Sequence, residues 1–382
     1  MTGISRRVVL RGAAALGGLG ALGARYPAAQ ELQDAPCGEH TLPPGSDRPS
    51  LAALAANQDR FFGAAVKDQL FTDASFRRLV VEQCNILVCT YSMKWRFLEP
   101  EPGQFDFRRA DRYVDFAEEH GMAFRGHTLV WEKEHPAWLG DELHGHGFAT
   151  VERHIRGVAG HYAGRLRSWD VVNEAVRPED GRADRLRSNV FLEALGPSYI
   201  EAAFAVAREA DPTALLYYNA NPAPYRRERN REHFEGVIAL LERLLGRGVP
   251  VQGLGLQSHL VAAYAEEFDE AILVWFYERA SALGLEIMIT ELDVSDKWLP
   301  TDVALRDQRV AQTYRRFLDV TLAFPAVKGV LSWGLSDRFT GHNRWPRRDR
   351  WAVRALPYDH CMQPKLARRE IAEALLAHDP DR

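Results

Sequence analysis

The sequence predicts one (β/α)8 barrel of the α/β class, a TIM barrel, occupying residues 51–378 behind an N-terminal export segment. Three observations point to it. Eight short apolar runs recur along the 382 residues. Amphipathic helical stretches separate them. Two of the runs, Trp169-Asp170-Val171-Val172-Asn173-Glu174-Ala175 and Ile287-Met288-Ile289-Thr290-Glu291-Leu292-Asp293, deliver a glutamate at a strand tip.

The first thirty residues stand apart. Ser5-Arg6-Arg7-Val8-Val9-Leu10 precedes a small, weakly apolar run from Gly12 to Ala24. A basic n-region, a short h-region and small residues before a cleavage point are the layout of a twin-arginine export signal. The run is too short and glycine-rich for a membrane span. The expected product is periplasmic or secreted, with no membrane association once the signal is removed. Residues 31–50, polar and rich in Pro and Gly, read as a linker.

The eight expected strands are 62–66, 85–89, 123–129, 168–173, 215–219, 251–257, 286–290 and 327–333. Between them, 111–120 carries Tyr113, Val114 and Ala117 on one face before Gly121. Residues 200–207 align Ile200, Ala203, Phe204 and Ala207, and 229–245 align Phe234, Val237, Ile238, Leu241, Leu244 and Leu245. Buried strands alternating with helices make a parallel sheet covered by helices. Eight such units suit a closed ring better than an open doubly wound sheet, and Phe62-Gly63-Ala64-Ala65-Val66-Lys67 lacks a dinucleotide fingerprint. No phosphate-binding loop follows the seventh or eighth run, which argues against a barrel acting on phosphorylated metabolites.

Apolar residues make up 46%, enough for a large core, and Lys+Arg 48 against Asp+Glu 52 gives net −4. That balance predicts no nucleic-acid partner. The Arg226–Arg231 cluster has no interleaved aromatics and reads as solvated surface. Cys84 and Cys89 read as buried small hydrophobes. An oxidising destination would permit a bridge between Cys37 and Cys361. His135, His144 and His146 lack regular ligand spacing, so no metal is expected; nor is any cofactor.

Strand C-termini of a barrel converge on one face. The third run ends in Arg125-Gly126-His127-Thr128-Leu129-Val130-Trp131, the fourth at Asn173-Glu174, the sixth at Gln257-Ser258-His259, the seventh at Glu291 and the eighth at Trp333-Gly334. Glu174 and Glu291 are therefore the expected catalytic pair, since two carboxylates brought close are the minimal equipment for glycoside hydrolysis. Flat aromatic faces beside them suit sugar rings. Asp293 reads as a structural partner.

The chain resembles glycoside hydrolase family 10, the family of β-1,4-xylanases. The matching residues are Met93-Lys94-Trp95, Leu98-Glu99-Pro100, Gly103-Gln104-Phe105, Gly126-His127-Thr128-Leu129-Val130-Trp131 and Trp169 to Ala175. They continue with Gly255-Leu256-Gln257-Ser258-His259-Leu260, Ile289-Thr290-Glu291-Leu292-Asp293-Val294 and Trp333-Gly334-Leu335-Ser336-Asp337. The resemblance implies a retaining, endo-acting double displacement on xylan, with Glu174 as general acid/base and Glu291 as nucleophile. It further implies that Asn173 holds a sugar 2-hydroxyl and that His259 hydrogen-bonds Glu291. Lys94, His127 and Gln257 would contact sugar hydroxyls or the carboxylates, and Trp131 and Trp333 would frame the ring. The expected partner is a polysaccharide, met by a monomer.

Departures from the family sit around the sugar-binding rim. Thr90 and Tyr91 stand where Glu-Asn is usual, and Glu132 and Glu134 where His and Gln are. Tyr218-Asn219-Ala220-Asn221 stands for Asn-Asp-Tyr-Asn, placing a lost aromatic at Ala220. Gly341 replaces a second lid tryptophan, with Trp345 as a candidate substitute. Arg344, Arg347, Arg348 and Arg350 read first as a solvated basic face. Their alternative, with Arg347 and Arg348 foremost, is contact with uronic acids. Such changes leave open another β-linked glycan, or a non-catalytic carbohydrate-binding barrel that would not need Glu174, Glu291 and Asn173 together.

Overall fold

The computed structural model describes residues 49–344 and 347–378. The export segment, most of the linker, Cys37 and Trp345 lie outside the described residues. Nine parallel strands form the framework: β1 Phe61–Val66, β2 Ile86–Cys89, β3 Ala123–Val130, β4 Ser168–Asn173, β5 Leu215–Ala220, β6 Gly253–Leu256, β7 His259–Val261, β8 Glu286–Ser295 and β9 Val327–Ser332. Neighbours run β6-β5-β4-β3-β2-β1-β9-β8, and β6 pairs with β8 to close an eight-stranded ring. The expected barrel is present.

Each ring strand is followed by a helix that covers it. These are Ala74–Gln83, Arg108–Glu119, Phe148–His161, Tyr199–Ala210, Glu228–Gly246, Glu270–Ala282, Val303–Leu322 and Leu366–Ala377. Their apolar stripes face inward: Tyr113, Val114 and Ala117 are buried in the second, and Phe234, Val237, Ile238, Leu241 and Leu244 in the fifth. Each fully buried Leu, Ile, Val or Phe contributes about 1.5–3 kcal/mol, so this strand–helix layer dominates stability. Aspartates start several helices, as where Phe76 N–H donates to Asp73 Oδ1 at 2.8 Å and Leu305 N–H to Asp302 Oδ1 at 2.7 Å. Gly121, at φ +65°, ends the second helix as expected. The fifth runs through Gly246, and its left-handed residue is Gly248 at φ +75°.

Inside the ring the filling changes with height. Ala65, Ile86, Val88, Tyr217, Met288 and Leu331 form an apolar layer. Against that layer Arg125, 1% exposed and 4.7 Å from the Tyr217 ring centre, donates to Asp170 Oδ1, while His127 Nδ1, two residues further toward the mouth, lies 2.8 Å from Asp170 Oδ2. A buried charge of this kind is tolerable only when paired.

The structure corrects two strand expectations. The seventh ring strand, β8, does not end at Glu291 but continues to Ser295. It does so because β7, absent from the expectation, pairs with its extension through His259–Asp293, Leu260–Val294 and Val261–Ser295. The sixth expected run, 251–257, shrinks to Gly253–Leu256. Cys84 and Cys89 are buried free thiols, and Cys361 is disulfide-bonded. Among the described residues no helix is long and apolar enough to cross a membrane.

Candidate active site

A cavity of about 510 Å³ opens at the C-terminal mouth of the ring. All nine residues singled out from the sequence line it: Lys94, His127, Trp131, Asn173, Glu174, Gln257, His259, Glu291 and Trp333. The rim departures Thr90, Tyr91 and Gly341 line it too. Ala220 does not. It is fully buried within β5, and Asn221 takes the wall position there, so the expected lost aromatic belongs at Asn221.

Glu174 follows the last residue of β4 and has φ +56°, a left-handed backbone that L-residues adopt at a cost of about 1–2 kcal/mol. Strain of that kind gathers at functional sites. The corner is held by hydrogen bonds from its N–H to Asn219 O at 2.9 Å and from Arg187 Nε to its own carbonyl at 2.7 Å. Its side chain is fully engaged: Gln257 Nε2 donates to Oε1 at 2.9 Å, and Arg187 Nη2 donates to Oε2 at 3.0 Å. The Lys133 ammonium stands 3.6 Å from Oε2. Burial raises the carboxyl's pKa, but Lys133, Gln257 and Arg187 together outweigh it and bring the net shift downward.

Glu291 lies mid-strand in β8, where the register with β9 slips between Ile289 and Leu292. Its Oε1 accepts from Asn219 Nδ2 at 3.1 Å, and its Oε2 lies 3.3 Å from His259 Nε2. His259 Nδ1 in turn sits 3.1 Å from Asp293 Oδ1, and His342 Nε2 is 3.0 Å from Asp293 Oδ2. Desolvation in the cleft works against a charged His259, but Asp293 and Glu291 on either side hold its pKa well above the ordinary histidine value. Asp293 is therefore the structural partner anticipated. His127 turns Nδ1 to Asp170 and Nε2 toward the cavity, 4.0 Å from Glu291 Oε1.

The amides form one network. Asn219 donates to Asn173 Oδ1 at 2.9 Å as well as to Glu291, and Thr290 Oγ1 donates to Asn219 Oδ1 at 2.9 Å. With Oδ1 of Asn173 so occupied, its Nδ2 is left buried and unpaired beside Glu174. A donor in that condition is ready for a ligand oxygen. Asn219 reaches the interior only because Gly255 stands beside it, where a Cβ would come within 2.2 Å of Asn219 Oδ1.

The aromatic wall is Trp131 and Trp333. Lys94 Nζ lies 4.2 Å from the Trp131 ring centre, and burial lowers its pKa to about 8 against the pull of Glu291 and Glu174. Trp333 meets His127 and His259 edge-on, at 5.7 and 6.1 Å between ring centres.

Four participants lay outside the sequence expectation: Asn219, Arg187, Lys133 and His342. Arg187 had one signal, the substitution at Glu132. Each unusual glutamate brings its own arginine, Glu132 accepting from Arg187 Nη1 at 2.9 Å and Glu134 facing Arg96 Nε at 2.8 Å. The arginine expectation needs correction. Arg347 is 3% exposed and spent on Asp349 and on the carbonyls of Asp296 and Leu299, so it meets no ligand. Arg348 lies over Trp298, 5.1 Å from its ring centre, while Arg344 borders the cavity.

Comparison with known proteins agrees with this architecture. The sequence matches the model of glycosyl hydrolase family 10 over residues 50–374. It is 34% identical to a β-1,4-xylanase of Dictyoglomus thermophilum, covering 86% of this chain and 92% of that one. It is 33% identical to endo-1,4-β-xylanase B of Thermotoga neapolitana, covering 87% and 94%. Among solved structures, xylanase 10B of Thermotoga maritima superposes with a TM-score of 0.78 at 31% identity, over 87% of this chain and all of the other. Xylanase 10B of Thermotoga petrophila, solved with xylobiose, gives 0.79 at 30% identity, over 87% and 99%. A closed barrel, two strand-borne glutamates in one cavity and a match across nearly the whole ring place this chain in glycosyl hydrolase family 10.

Proposed function

We propose that the chain is a retaining endo-1,4-β-xylanase working by double displacement, with Glu291 as nucleophile and Glu174 as general acid/base. The observation that carries this is the contrast between two carboxylates lining one cavity. Glu291 is braced by Asn219 and His259, donors suited to a carboxylate that attacks. Glu174 sits between the Gln257 amide and the Arg187 and Lys133 cations, at a corner where it can exchange a proton with the glycosidic oxygen. In the first step Glu291 attacks the anomeric carbon while Glu174 gives its proton to the leaving oxygen. In the second, Glu174 takes a proton from water, which displaces Glu291.

Asn173 supplies its free Nδ2–H to the sugar 2-hydroxyl, a bond that strengthens as the oxocarbenium-like transition state forms. Lys94, His127 and Gln257 position hydroxyls, and Trp131 and Trp333 pack on the ring. The enzyme acts as a monomer on its polysaccharide. It consists of a twin-arginine signal at 1–30, a linker at 31–50 and the catalytic barrel at 51–378. Fusing residues 1–30 to a reporter gives export that stops when Arg6 and Arg7 become Lys; export surviving that change points to another route.

The deciding measurement is reducing-sugar release across xylan, glucuronoxylan, β-glucan and bacterial exopolysaccharides, with Glu291→Ala as control. Xylan hydrolysed best supports the assignment, and β-glucan or an exopolysaccharide hydrolysed best would replace xylan as the substrate.

A further inference from the structure

Beside the catalytic cavity lies a second one of about 450 Å³, and the two share Gly341 and Arg344. Its walls come from the start of the β1–helix connection and from the loop after β9. Lys67, directly after β1, is half-buried, and its ammonium donates to Phe339 O at 3.2 Å. Among the described residues no carboxylate forms an ion pair with Lys67. The lining holds one acid, Asp73, and it is already engaged: Oδ1 caps Phe76 N–H, and Oδ2 faces Arg338 Nη1 at 3.4 Å. Arg344 is exposed, with its guanidinium 4.9 Å from the centre of the Tyr91 ring. Lys67 and Arg344 are thus two positive charges bordering one hollow with no acid between them.

Two residues of the lining also carry unsatisfied amide oxygens. Gln69 Oε1 and Asn343 Oδ1 are buried without a hydrogen-bond partner. Cations together with orphaned amide oxygens match a ligand that carries both a carboxylate and hydroxyls. The placement matches too. In the ring order, β9 lies diametrically across from β4, which delivers Glu174. Since Glu174 protonates the leaving group, the β9–β1 arc receives the other, glycone end of the sugar chain. Tyr91, standing where the family resemblance implies asparagine, carries Arg344 on its ring at the junction of the two cavities.

We propose that the β9 and β1 loops form an anion-binding subsite at the glycone end of the cleft, which takes the carboxylate of a uronic acid carried by the glycan. This rests on the glycosidase reading above. Arg344 supplies the planar fork that pairs bidentately with a carboxylate, and Lys67 supplies a second charge from the floor. Burial, with Arg344 nearby, lowers the Lys67 pKa to about 8, as expected for an ammonium that lacks a counter-ion.

The test compares kcat/KM on a uronic-acid-substituted xylo-oligosaccharide with the same oligosaccharide after reduction of its carboxylate to the primary alcohol. The sugar and its linkage are kept, and the charged, acceptor-only carboxylate becomes a neutral hydroxymethyl. The wild type prefers the acid form by about tenfold at low ionic strength, the scale of one well-made charge-assisted hydrogen bond. Added salt erodes the preference. Lys67→Gln and Arg344→Gln each bring the ratio toward one, and Lys67→Arg retains it; reading a ratio cancels any general loss of rate. Equal rates of the wild type on both forms, or a preference intact in both Gln variants, would overturn the subsite alone. Hydrolysis of neither form would overturn xylan as the substrate, and the subsite with it.

Discussion

The surroundings of Glu174 and Glu291 differ in origin. Glu291 is served by the ring and its short extension: Asn219 from β5 and His259 from β7, with Asp293 behind it on β8. Glu174 takes Gln257 from the end of β6, but its cations come from connections, Lys133 after β3 and Arg187 after β4. The setting of Glu291 is therefore part of the scaffold, whereas that of Glu174 is built by connecting segments, which can change without disturbing the ring.

The largest test of that contrast is Glu291→Ala, which lowers turnover by at least about 10⁴-fold, the scale of losing a group that forms the covalent intermediate. Azide or formate partly restores it and yields product of inverted configuration, readable by polarimetry or NMR. Unchanged turnover would remove Glu291 from the nucleophile's role. Next, Glu174→Ala costs about 10²–10⁴-fold on glycans with poor leaving groups and far less on activated aryl glycosides. Equal losses on the two substrate types would count against an acid role.

Gly255→Ala reaches Glu291 indirectly, by pushing Asn219 from its place. A displacement of that kind costs about 10²-fold in kcat with KM little changed. If kcat held while thermal stability fell, Asn219 would be packing rather than support. The smallest effect is on pH. Free Glu174 has its pKa held down partly by Arg187, and the proposed acid role needs it protonated, so under that role the alkaline limb of kcat/KM falls as it ionises. Arg187→Met removes a cation, raises that pKa and moves the alkaline limb to higher pH. A limb that stays put would show that another group controls it.

Strands buried on both faces read as continuous apolar runs, and on that account seven of the eight ring strands were legible to within two residues at either end, and β8 at its start. β7 was not, because three residues after a left-handed Ser258 carry no periodicity. The extension of β8 depends on it and was missed with it. That Glu174 and Glu291 meet in one cavity was legible from strand tips, but their hydrogen-bond partners were only partly so. Asn219 is a polar residue in an otherwise apolar strand, and that alone signals an internal partner. Arg187 lies in an irregular loop and His342 in a short 3-10 turn, where distance along the chain says nothing about reach. In the 338–350 loop the sequence could count arginines but not sort them; burial turned Arg347 inward and left Arg344 at the cavity.

β7 has a consequence for how this enzyme can move and change. With β8 prolonged by that ladder, the amide of Glu291 stands four residues inside its strand and donates to Gln257 O at 3.1 Å, while Leu292 O accepts from Trp333 N–H at 2.9 Å. Such an amide exchanges with solvent only when much of the ring opens, so its deuterium uptake should follow global unfolding. The loop carrying Lys133 should exchange orders of magnitude sooner. Lineages descending from this chain can then redraw the rim while Glu291 stays where the ring holds it.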